Sequence, residues 1–391
     1  MYVSKQLQQT KHVNVHVPLF HVTNDKPFSA KEVYIIGGGL AGIATALSMQ
    51  QRGINATILE ADPVAKRKMG ETLPPSVAPV LQALGIRELF DRPEHLVCYG
   101  NTYQWGSDTL HEKHFIQSTL GHGWHVQRDI LENDLQDHAR KKGIRMLTGY
   151  KLLQLDQQPD ESWLMTVMTA SGKETIQADF IVDATGRSSK VARCLGIERR
   201  FLDELTGTMA YFSLPENTEI AQYTYVESVE NGWWYAAVLA SGELVTAFMT
   251  DARLLEKQMQ EPKGYWQQLQ QTNFIRTIFP ENYNPDFATG LHTQSAGTSC
   301  LEKCSGINWL AVGDAAFAYD PVSSYGMTSA LGSGYYAGQA IAEFLSGKKE
   351  ALHAYRFLTE KTFADYLPMW QRQYNLEQRW KDSLFWNARN H

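Results

Sequence analysis

The chain has 391 residues, a formal net charge of −6 and 11% aromatic side chains, so it is long enough for one large or two interleaved domains and too aromatic for a disordered chain. The charge provides no basic surface for nucleic acid, no run of 18 apolar residues is present to span a membrane, and the N-terminus lacks the pattern of a secretory signal. The four cysteines form no CxxC pair, which favours a reducing cytoplasm over disulfides or a metal site.

Residues 1–30 form an arm before the first buried segment. Val13, Val15 and Val17 alternate with polar residues and predict an edge strand. Histidines in the same arm have no carboxylate or cysteine at matching spacing, so a solvated extension is favoured over a metal site.

The stretch Glu32–Glu60 has the pattern of a dinucleotide-binding unit. A short apolar strand, Val33–Ile36, runs directly into the sequence GGGLAG. A helix is predicted over Leu40–Gln51 and a second strand over Ala56–Leu59, with the acidic Glu60 at its end. A glycine-rich turn alone is weak evidence, but the strand, helix, second strand and terminal acid together predict a dinucleotide site.

Each part of this unit has a physical role. The helix start at Leu40 and Ala41 offers free N–H groups to phosphates, and Glu60 can accept a hydrogen bond from a ribose hydroxyl. The pattern does not distinguish FAD from NAD(P). The glycines allow the tight turn (Gly37), the approach of a pyrophosphate (Gly39) and close packing of the helix (Gly42).

The sequence GETLPP at residues 70–75 leads into a predicted helix, Ser76–Leu84, that ends at Gly85. A proline-rich helix start explains the prolines. It leaves Glu71 and Thr72 without an explanation.

The middle of the chain is rich in predicted strands. Tyr99–His125 is strand-like, Arg128 precedes a helix over Ile130–Lys142, and a second predicted helix covers Leu254–Phe279. Residues 206–251 predict an antiparallel meander. Its strands are Thr208–Ser213, Gln222–Ser228, Trp233–Leu239 and Leu244–Thr250. The other predicted strands are Ile144–Leu147, Lys151–Gln157, Trp163–Ala170, Ala178–Val182 and His292–Ser299.

Two polar segments directly follow predicted buried strands. The sequence DATGRSS begins at Asp183, and a strand over Ile307–Val312 runs into Gly313 and Asp314. The sequence PVSSYGM then opens a helix to Leu345 that contains many small residues.

Residues 355–389 are predicted to be helical and aromatic. Tyr366, Trp370 and Tyr374 share one face. Packing against the body is the favoured interpretation of this face, and lining a substrate mouth is the alternative.

The glycine fingerprint, the DATGR segment and the Gly313-Asp314 segment together resemble the three FAD-contacting motifs of flavin-dependent hydroxylases with the p-hydroxybenzoate hydroxylase architecture. The resemblance implies FAD as the cofactor and NAD(P)H as its reductant. It also implies an α/β fold in which a Rossmann-like FAD-binding domain is interleaved with a β-sheet substrate domain and followed by a C-terminal helical segment. The implied ranges are 31–98, 125–205 and 300–345 for the FAD domain, 99–124 and 206–299 for the substrate domain, and 346–391 for the helical segment.

The resemblance assigns roles to individual positions. Asp314 is expected to bind the ribityl chain and Arg128 the ribityl-phosphate region, while the helix start after PVSSY faces the flavin's pyrimidine end. Asp183 and Gly186 are expected beside the cofactor, near incoming NAD(P)H. The cofactor-binding set implied in this way also includes Thr72, Gly313, Pro321, Ser324, Gly326 and Met327.

Within this superfamily the chain is similar to flavin-dependent halogenases and their non-halogenating relatives. The signs are GETLPP, DATGRSS, GDAAFAYDPVSSYGM and the aromatic C-terminal helix. Two halogenase marks are missing: residues 76–80 contain no lysine, and WWYAA at residues 233–237 replaces a WxWxIP block. The chain instead resembles the flavoprotein maturation factors of quinone-cofactor oxidases and dehydrogenases.

This resemblance implies that a flavin C4a-hydroperoxide hydroxylates a tryptophan side chain in the precursor of a partner enzyme. The alternatives are a FAD hydroxylase of a free small aromatic molecule and a flavin-bearing assembly factor that performs no oxygenation. No nucleic acid partner, membrane span or metal is expected.

Glu71 is the candidate catalytic base, with a dipole-stabilised acid at a helix start as the competing interpretation. The substrate pocket is expected to include Trp233, Trp234, Tyr235 and Tyr325, although strand aromatics are more often part of a core. The two serines before Tyr325 could donate hydrogen bonds to flavin or peroxide oxygens, and helix capping is the alternative interpretation.

Overall fold

The computed structural model describes residues 31–65, 67–216, 218–287 and 290–389. The N-terminal arm and its predicted valine strand therefore lie outside the described residues. Within the described ranges, no helix has both the length and the apolar character required to cross a bilayer.

The strands of the described chain, in order, are β1 Val33–Ile36, β2 Thr57–Glu60, β3 Thr72–Leu73, β4 Leu96–Cys98, β5 Gly100–Gln104, β6 His111–His114, β7 Gly123–His125, β8 Arg145–Thr148, β9 Lys151–Gln157, β10 Trp163–Thr169, β11 Gly172–Ala178, β12 Phe180–Asp183, β13 Arg199–Phe201, β14 Leu205–Ser213, β15 Tyr223–Val229, β16 Gly232–Val238, β17 Glu243–Asp251, β18 His292–Ser295, β19 Ser299–Leu301, β20 Ser305–Gly306, β21 Trp309–Ala311 and β22 Phe317–Ala318. The α-helices are α1 Leu40–Gln50, α2 Ala78–Leu84, α3 Arg87–Phe90, α4 Arg128–Lys141, α5 Lys190–Cys194, α6 Pro262–Leu269, α7 Gly326–Leu345, α8 Glu350–Asn375 and α9 Leu384–Asn387.

A six-stranded sheet in the order β20-β21-β12-β1-β2-β8 brings the three sequence motifs together. β1 lies parallel between β2 and β12, and Ile36 at its end is opposite Leu59 and Asp183. β21 is parallel to β12, with Ala311 opposite Asp183. Because parallel strands end at one edge of the sheet, the loops after β1, β2, β12 and β21 meet there. The predicted Rossmann-like α/β fold is confirmed.

Helices α1 and α7 share a core with this sheet and pack on each other through small residues. A Cβ on Gly334 would lie 2.5 Å from the Ala41 carbonyl oxygen, and one on Gly338 would lie 2.6 Å from the Ser48 Cβ. The small residues predicted in α7 therefore allow the close contact of two helix backbones.

A second, seven-stranded sheet has the order β18-β14-β17-β16-β15-β5-β6. The four predicted strands correspond to β14, β15, β16 and β17 and pair antiparallel, but the predicted meander is wrong, because β14 pairs with β17 rather than with β15. β5 joins in parallel to β15. A small sheet, β3-β7-β4, carries the GE segment, and the remaining strands form two three-stranded sheets, β11-β10-β9 and β13-β19-β22. The strand-like stretch 99–125 is divided among β5, β6 and β7 rather than being one element. The exact domain boundaries stay a prediction.

The long helix predicted over residues 254–279 is wrong. Only α6 is α-helical there, with short 3-10 turns on either side. The physical reason is a contact from a distant strand: the buried Glu227 carboxylate on β15 accepts hydrogen bonds from the backbone N–H groups of Asn273, Phe274 and Ile275. These groups begin a new turn instead of continuing α6.

The C-terminal helix is also shorter than predicted, because α8 ends at Asn375. Just beyond it, the buried Glu377 accepts hydrogen bonds from the Gly106 N–H (2.9 Å) and the Ser228 hydroxyl (2.7 Å). These bonds turn the chain toward the seven-stranded sheet. The predicted packing of the α8 aromatic face against the body is confirmed, since Tyr366 and Tyr374 are buried.

Candidate active site

The glycine-rich turn after β1 leaves very little space between the strand and α1. Gly37 has a φ of +112°, and a Cβ there would lie 2.3 Å from the Ala184 carbonyl oxygen. A Cβ on Gly42 would lie 2.0 Å from the Gly37 carbonyl oxygen. A Cβ on Gly39, in contrast, would meet no atom of the described protein within 4 Å. Protein packing therefore explains Gly37 and Gly42, while Gly39 fits a position that a phosphate group approaches.

The first turn of α1 adds backbone donors to this loop. Gly39 is the N-cap residue, and no side chain of the described chain caps it. Leu40 and Ala41 follow and are buried. A Cβ on Gly313, in the loop after β21, would lie 2.9 Å from the Ala41 Cβ, so the third motif packs against the start of α1. This arrangement is suited to holding an anion.

Glu60 lies at the end of β2, and its carboxylate is fixed against the glycine turn. Its Oε2 accepts a hydrogen bond from the Gly38 N–H at 2.6 Å, and its Oε1 accepts one from the Asp62 N–H at 2.8 Å. A carboxylate has further acceptor capacity beyond these two bonds, so a role in ribose binding is compatible with the geometry and stays a prediction.

The Asp183 carboxylate is used inside the protein. Its Oδ1 accepts hydrogen bonds from the Thr185 N–H (3.1 Å) and hydroxyl (2.6 Å), and its Oδ2 accepts one from the Ala192 N–H (3.0 Å). Burial raises the pKa of Asp183, and these bonds oppose the increase. Asp183 thus shapes the turn that contains Gly186, which has a φ of +62°. Their predicted place beside the cofactor stays a prediction.

Asp314, in the third motif, is more accessible than Asp183, because one-third of its side chain is exposed while Asp183 is completely buried. The Arg187 Nε lies 3.4 Å from its Oδ2, and the Arg187 guanidinium also donates to the carbonyl oxygens of Ala296 (3.3 Å) and Tyr319 (3.2 Å). The arginine of the DATGR segment therefore ties the second motif to the third.

The segment 321–327 forms a tight turn before α7. Pro321–Ser323 is a 3-10 turn, Ser324 has a φ of +51°, and α7 begins at Gly326. Met327 is buried in the first turn of α7. The Thr328 hydroxyl is also buried and has no hydrogen-bond partner among the described residues. The helix start thus combines backbone N–H groups with an unused hydroxyl.

Glu71 is almost completely buried, with 1% of its surface exposed. The Tyr211 hydroxyl donates to its Oε1 and the Gly70 N–H donates to its Oε2, both at 3.1 Å. Burial raises the pKa of Glu71 to about 7, although Tyr211 and Arg128 act in the opposite direction. The side chain is therefore poised between its neutral and ionised forms near neutral pH.

A small cleft opens beside this carboxyl group. The Arg67 guanidinium stacks 4.6 Å from the centre of the Tyr211 ring and forms a two-point ion pair with Glu243. The lining residues are Arg67, Glu71, Gln127, Arg128, Asp129, Tyr211 and Leu239.

Arg128 connects this cleft to the GE segment. It donates to the carbonyl oxygens of Met69 (3.1 Å) and Gly70 (3.3 Å) and to Glu132 Oε1 (2.7 Å). Its Nε is buried and has no partner in the described part of the chain. Arg128 therefore positions the segment before Glu71 and keeps one donor for a ligand.

Thr72 points toward the large sheet. Its hydroxyl lies 2.8 Å from the Tyr235 hydroxyl and 3.1 Å from the Thr224 hydroxyl, and His125 Nε2 lies 3.1 Å from the same Thr224 oxygen. Thr72 and Tyr235, predicted for cofactor and substrate respectively, thus meet in one buried polar network. This network fixes β3, and with it the adjacent Glu71, to the sheet.

The other predicted aromatic pocket residues are dispersed. Trp233 and Trp234 are each 1% exposed and lie in different hydrophobic cores on opposite faces of β16. Tyr325 packs edge-on against Tyr319, with ring centres 5.1 Å apart. The burial of the two indoles favours the core interpretation, and a pocket role stays a prediction.

Sequence reasoning missed three residues of this region: Tyr211, Arg67 and Asp320. Tyr211 lies on a strand where an aromatic residue is ordinary, so no local signal identifies it. Asp320 precedes a proline at a 3-10 helix start, and this N-cap pattern was a readable signal.

A family model described as FAD binding domain matches residues 30–360. The putative FAD-dependent oxidoreductase LodB of Marinomonas mediterranea is 29% identical over 367 residues, which cover 92% of this chain and 96% of that protein.

Solved structures show the same fold. The flavin-dependent halogenase CmlS superposes with a TM-score of 0.81 at 23% identity, covering 93% of this chain and 68% of that chain. The peptidyl tryptophan dihydroxylase QhpG, described as essential for tryptophylquinone cofactor biogenesis, superposes with a TM-score of 0.73 at 21% identity, covering 92% and 79%. Because the family model covers most of the sequence, the chain belongs to the FAD binding domain family.

Proposed function

We propose that this FAD-dependent oxidoreductase hydroxylates a tryptophan side chain in the precursor of a partner enzyme during quinone-cofactor biogenesis. The reaction consumes the aromatic C–H, O2, NAD(P)H and a proton, and yields the phenolic C–OH, NAD(P)+ and water. The similarity to QhpG supports the substrate. The observation that carries the proposed chemistry is the buried, hydrogen-bonded Glu71 beside the cleft.

The described residues fit FAD. Gly39 leaves room for the pyrophosphate, Glu60 has acceptor capacity for the adenosine ribose, and the partly exposed Asp314 is suited to the ribityl hydroxyls. The start of α7 at Gly326 supplies N–H groups for the flavin ring. Bound FAD, once reduced by NAD(P)H, supplies the reactive oxygen atom from O2.

In our proposal Glu71 accepts the proton that the ring carbon releases when its new C–O bond forms. Loss of this proton restores the aromatic system, and an acceptor with a pKa near the working pH is the most effective. The pKa of about 7 meets this requirement. The Tyr211 hydroxyl orients the carboxylate, and the Arg67 guanidinium packs on the Tyr211 ring.

Halogenation is the activity of several relatives, including the tryptophan 2-halogenase of Chondromyces crocatus, which is 22% identical to this chain over 377 residues. The halogenases resembled by the motifs use a reactive lysine in the helix after the GE segment. Residues 71–90 of this chain contain no lysine, which supports hydroxylation over halogenation.

The test mixes the purified FAD-loaded protein with NADH or NADPH, O2 and a precursor that contains the target tryptophan, and follows the mass of the precursor. We expect a mass gain of one oxygen atom, about 16 Da, for each turnover. Free tryptophan and simple phenols are assayed in parallel. Hydroxylation of the free molecules alone would favour a small-molecule hydroxylase, and a flavin that is never reduced with precursor present would favour an assembly factor.

A Glu71→Gln variant tests the proposed base. We expect it to retain FAD and to lose turnover by about a hundredfold, the usual contribution of general base catalysis. Glu227→Gln is the matched control, because Glu227 is equally buried but binds the backbone N–H groups of residues 273–275, none of which lines the cleft. Unchanged turnover in Glu71→Gln would reduce Glu71 to a structural acid.

A further inference from the structure

The turn 321–327 is held by a carboxylate that lies immediately before it. Asp320 is completely buried, and its Oδ1 accepts a hydrogen bond from the Val322 N–H at 2.9 Å. This bond caps the 3-10 turn that starts at Pro321. One oxygen of the carboxylate is thus committed to the conformation of the turn.

The second carboxylate oxygen and the backbone N–H of Asp320 are bonded to one face of α8. The Trp370 Nε1–H (2.9 Å) and the Tyr374 hydroxyl (2.8 Å) both donate to its Oδ2. The Asp320 N–H donates to the Tyr366 hydroxyl at 3.0 Å. The three aromatic residues follow one another at a spacing of four, so they are neighbours on the helix. We call Asp320 with these three side chains the Asp320 clamp.

The carboxylate suits this set of donors. Burial, together with the nearby Asp203, raises the pKa of Asp320 to about 6, so the group is mainly ionised at neutral pH and can only accept hydrogen bonds. Hydrogen bonds to a charged acceptor are stronger than neutral ones and fix geometry more tightly. The aromatic face of α8 therefore has a polar role besides packing.

We propose that the Asp320 clamp positions the turn 321–327 for FAD, with Asp320 as a positioning residue. Through the clamp, α8 determines whether the N–H groups at the start of α7 face the flavin. Ser324 adopts a left-handed backbone conformation, which a non-glycine residue keeps only when its surroundings hold it. The inference rests on the proposed contact between Gly326 and the flavin, and it does not depend on which aromatic substrate is hydroxylated.

The size of the effect follows from population arithmetic. A turn that is no longer held samples conformations that cannot bind the flavin, and the apparent Kd rises in inverse proportion to the competent fraction. Loss of one hydrogen bond to a charged group lowers the ratio of held to released turn by about tenfold. The competent fraction falls by at most the same factor, so we expect FAD affinity to fall by up to about tenfold.

The experiment compares Tyr374→Phe and Trp370→Phe, each of which removes one donor to the same carboxylate oxygen. FAD affinity is measured by fluorescence titration of the apoprotein, and the flavin environment by the visible circular dichroism of the bound cofactor. Tyr265→Phe is the matched control, since it removes a buried tyrosine hydroxyl that contacts Thr246 in the large sheet. We expect both clamp variants to weaken FAD binding by up to about tenfold and to alter the flavin spectrum in the same way, and we expect the control to change neither.

Unfolding of the apoproteins separates positioning from stability. Clamp variants that lose stability but bind FAD with unchanged affinity and spectrum would overturn the inference. A Gly326→Val variant tests the contact on which the inference rests. If Gly326→Val also leaves FAD binding unchanged, the proposed flavin contact fails, and if it alone weakens binding, only the role of the clamp fails.

Discussion

Replacing Glu71 with glutamine removes a buried ionisable group and preserves its shape. Both oxygens of the wild-type carboxyl group accept hydrogen bonds, from the Tyr211 hydroxyl and the Gly70 N–H. Glutamine keeps one acceptor and does not titrate. The variant therefore isolates the free energy of ionising a carboxyl group at this position in the FAD-free protein.

The sign follows from the raised pKa. The folded protein holds the proton up to about pH 7, whereas an unfolded chain releases it near 4.5. Wild-type stability from this group is fully present below pH 4.5 and is lost as the pH rises to 7. The difference between the folded and unfolded pKa values of Glu71, at about 1.4 kcal/mol for each pH unit, corresponds to about 3 kcal/mol of unfolding free energy. Between pH 5 and pH 8, the glutamine variant should gain about 2.5 kcal/mol of unfolding free energy relative to wild type.

Urea unfolding of the two apoproteins at pH 5 and pH 8, followed by tryptophan fluorescence, measures this difference. Glu132→Gln is a control without a slope in this range: burial would raise the pKa of Glu132, but Arg128 and Lys68 lower it below 4.5. Its stabilising effect is lost only as the pH falls below 4.5, so Glu132→Gln should lose the same stability at pH 5 and at pH 8. A stability difference between Glu71→Gln and wild type that is the same at both pH values would refute the buried, poised carboxyl group.

Two further predictions test the glycine turn and a buried ion pair. Gly37→Ala should destabilise the protein by more than about 2 kcal/mol, because its Cβ would collide with the Ala184 carbonyl. Gly39→Val should keep the thermal stability of the apoprotein and lose FAD. Thermal melts and cofactor content distinguish these outcomes, and a yellow Gly39→Val protein would contradict the phosphate contact. Arg389→Met should reduce the unfolding free energy by about 3 kcal/mol, because it leaves the buried Asp251 carboxylate without its principal ion-pair partner. In urea unfolding, adding Asp251→Asn to this variant should recover part of the lost free energy. Full additivity of the two changes would refute the pairing.

The parts of the site that the sequence predicted are those encoded in short contiguous segments. The turn at Gly37 needs a positive φ, and Gly42 needs the absence of a Cβ; both requirements are met by residue type alone. The strands over residues 206–251 were predicted for the same reason, since alternating side chains and turn residues repeat within one stretch. Their order was not, because β14 pairs with β17 and not with the next strand along the chain.

The parts that could not be predicted depend on contacts between distant residues. Helical periodicity over residues 254–279 was overridden by Glu227 from another strand. Trp233 and Trp234 are adjacent in sequence, yet they enter separate cores because successive strand residues point to opposite faces. Propensity describes neighbours along the chain and carries no information about which sheet a side chain will meet.

The sequence by itself determined a dinucleotide-binding α/β unit, because backbone freedom at the glycines and the strand–helix–strand pattern are local properties. The resemblance of its three motifs to a known family then implied FAD as the dinucleotide. Only the tertiary structure decided which polar groups surround Glu71 and the turn 321–327. Tyr211 reaches Glu71 across 140 residues of sequence, and Tyr374 reaches Asp320 across 54. Burial and these long-range hydrogen bonds set the protonation of the two carboxyl groups, and both arise when the sheets and α8 pack together.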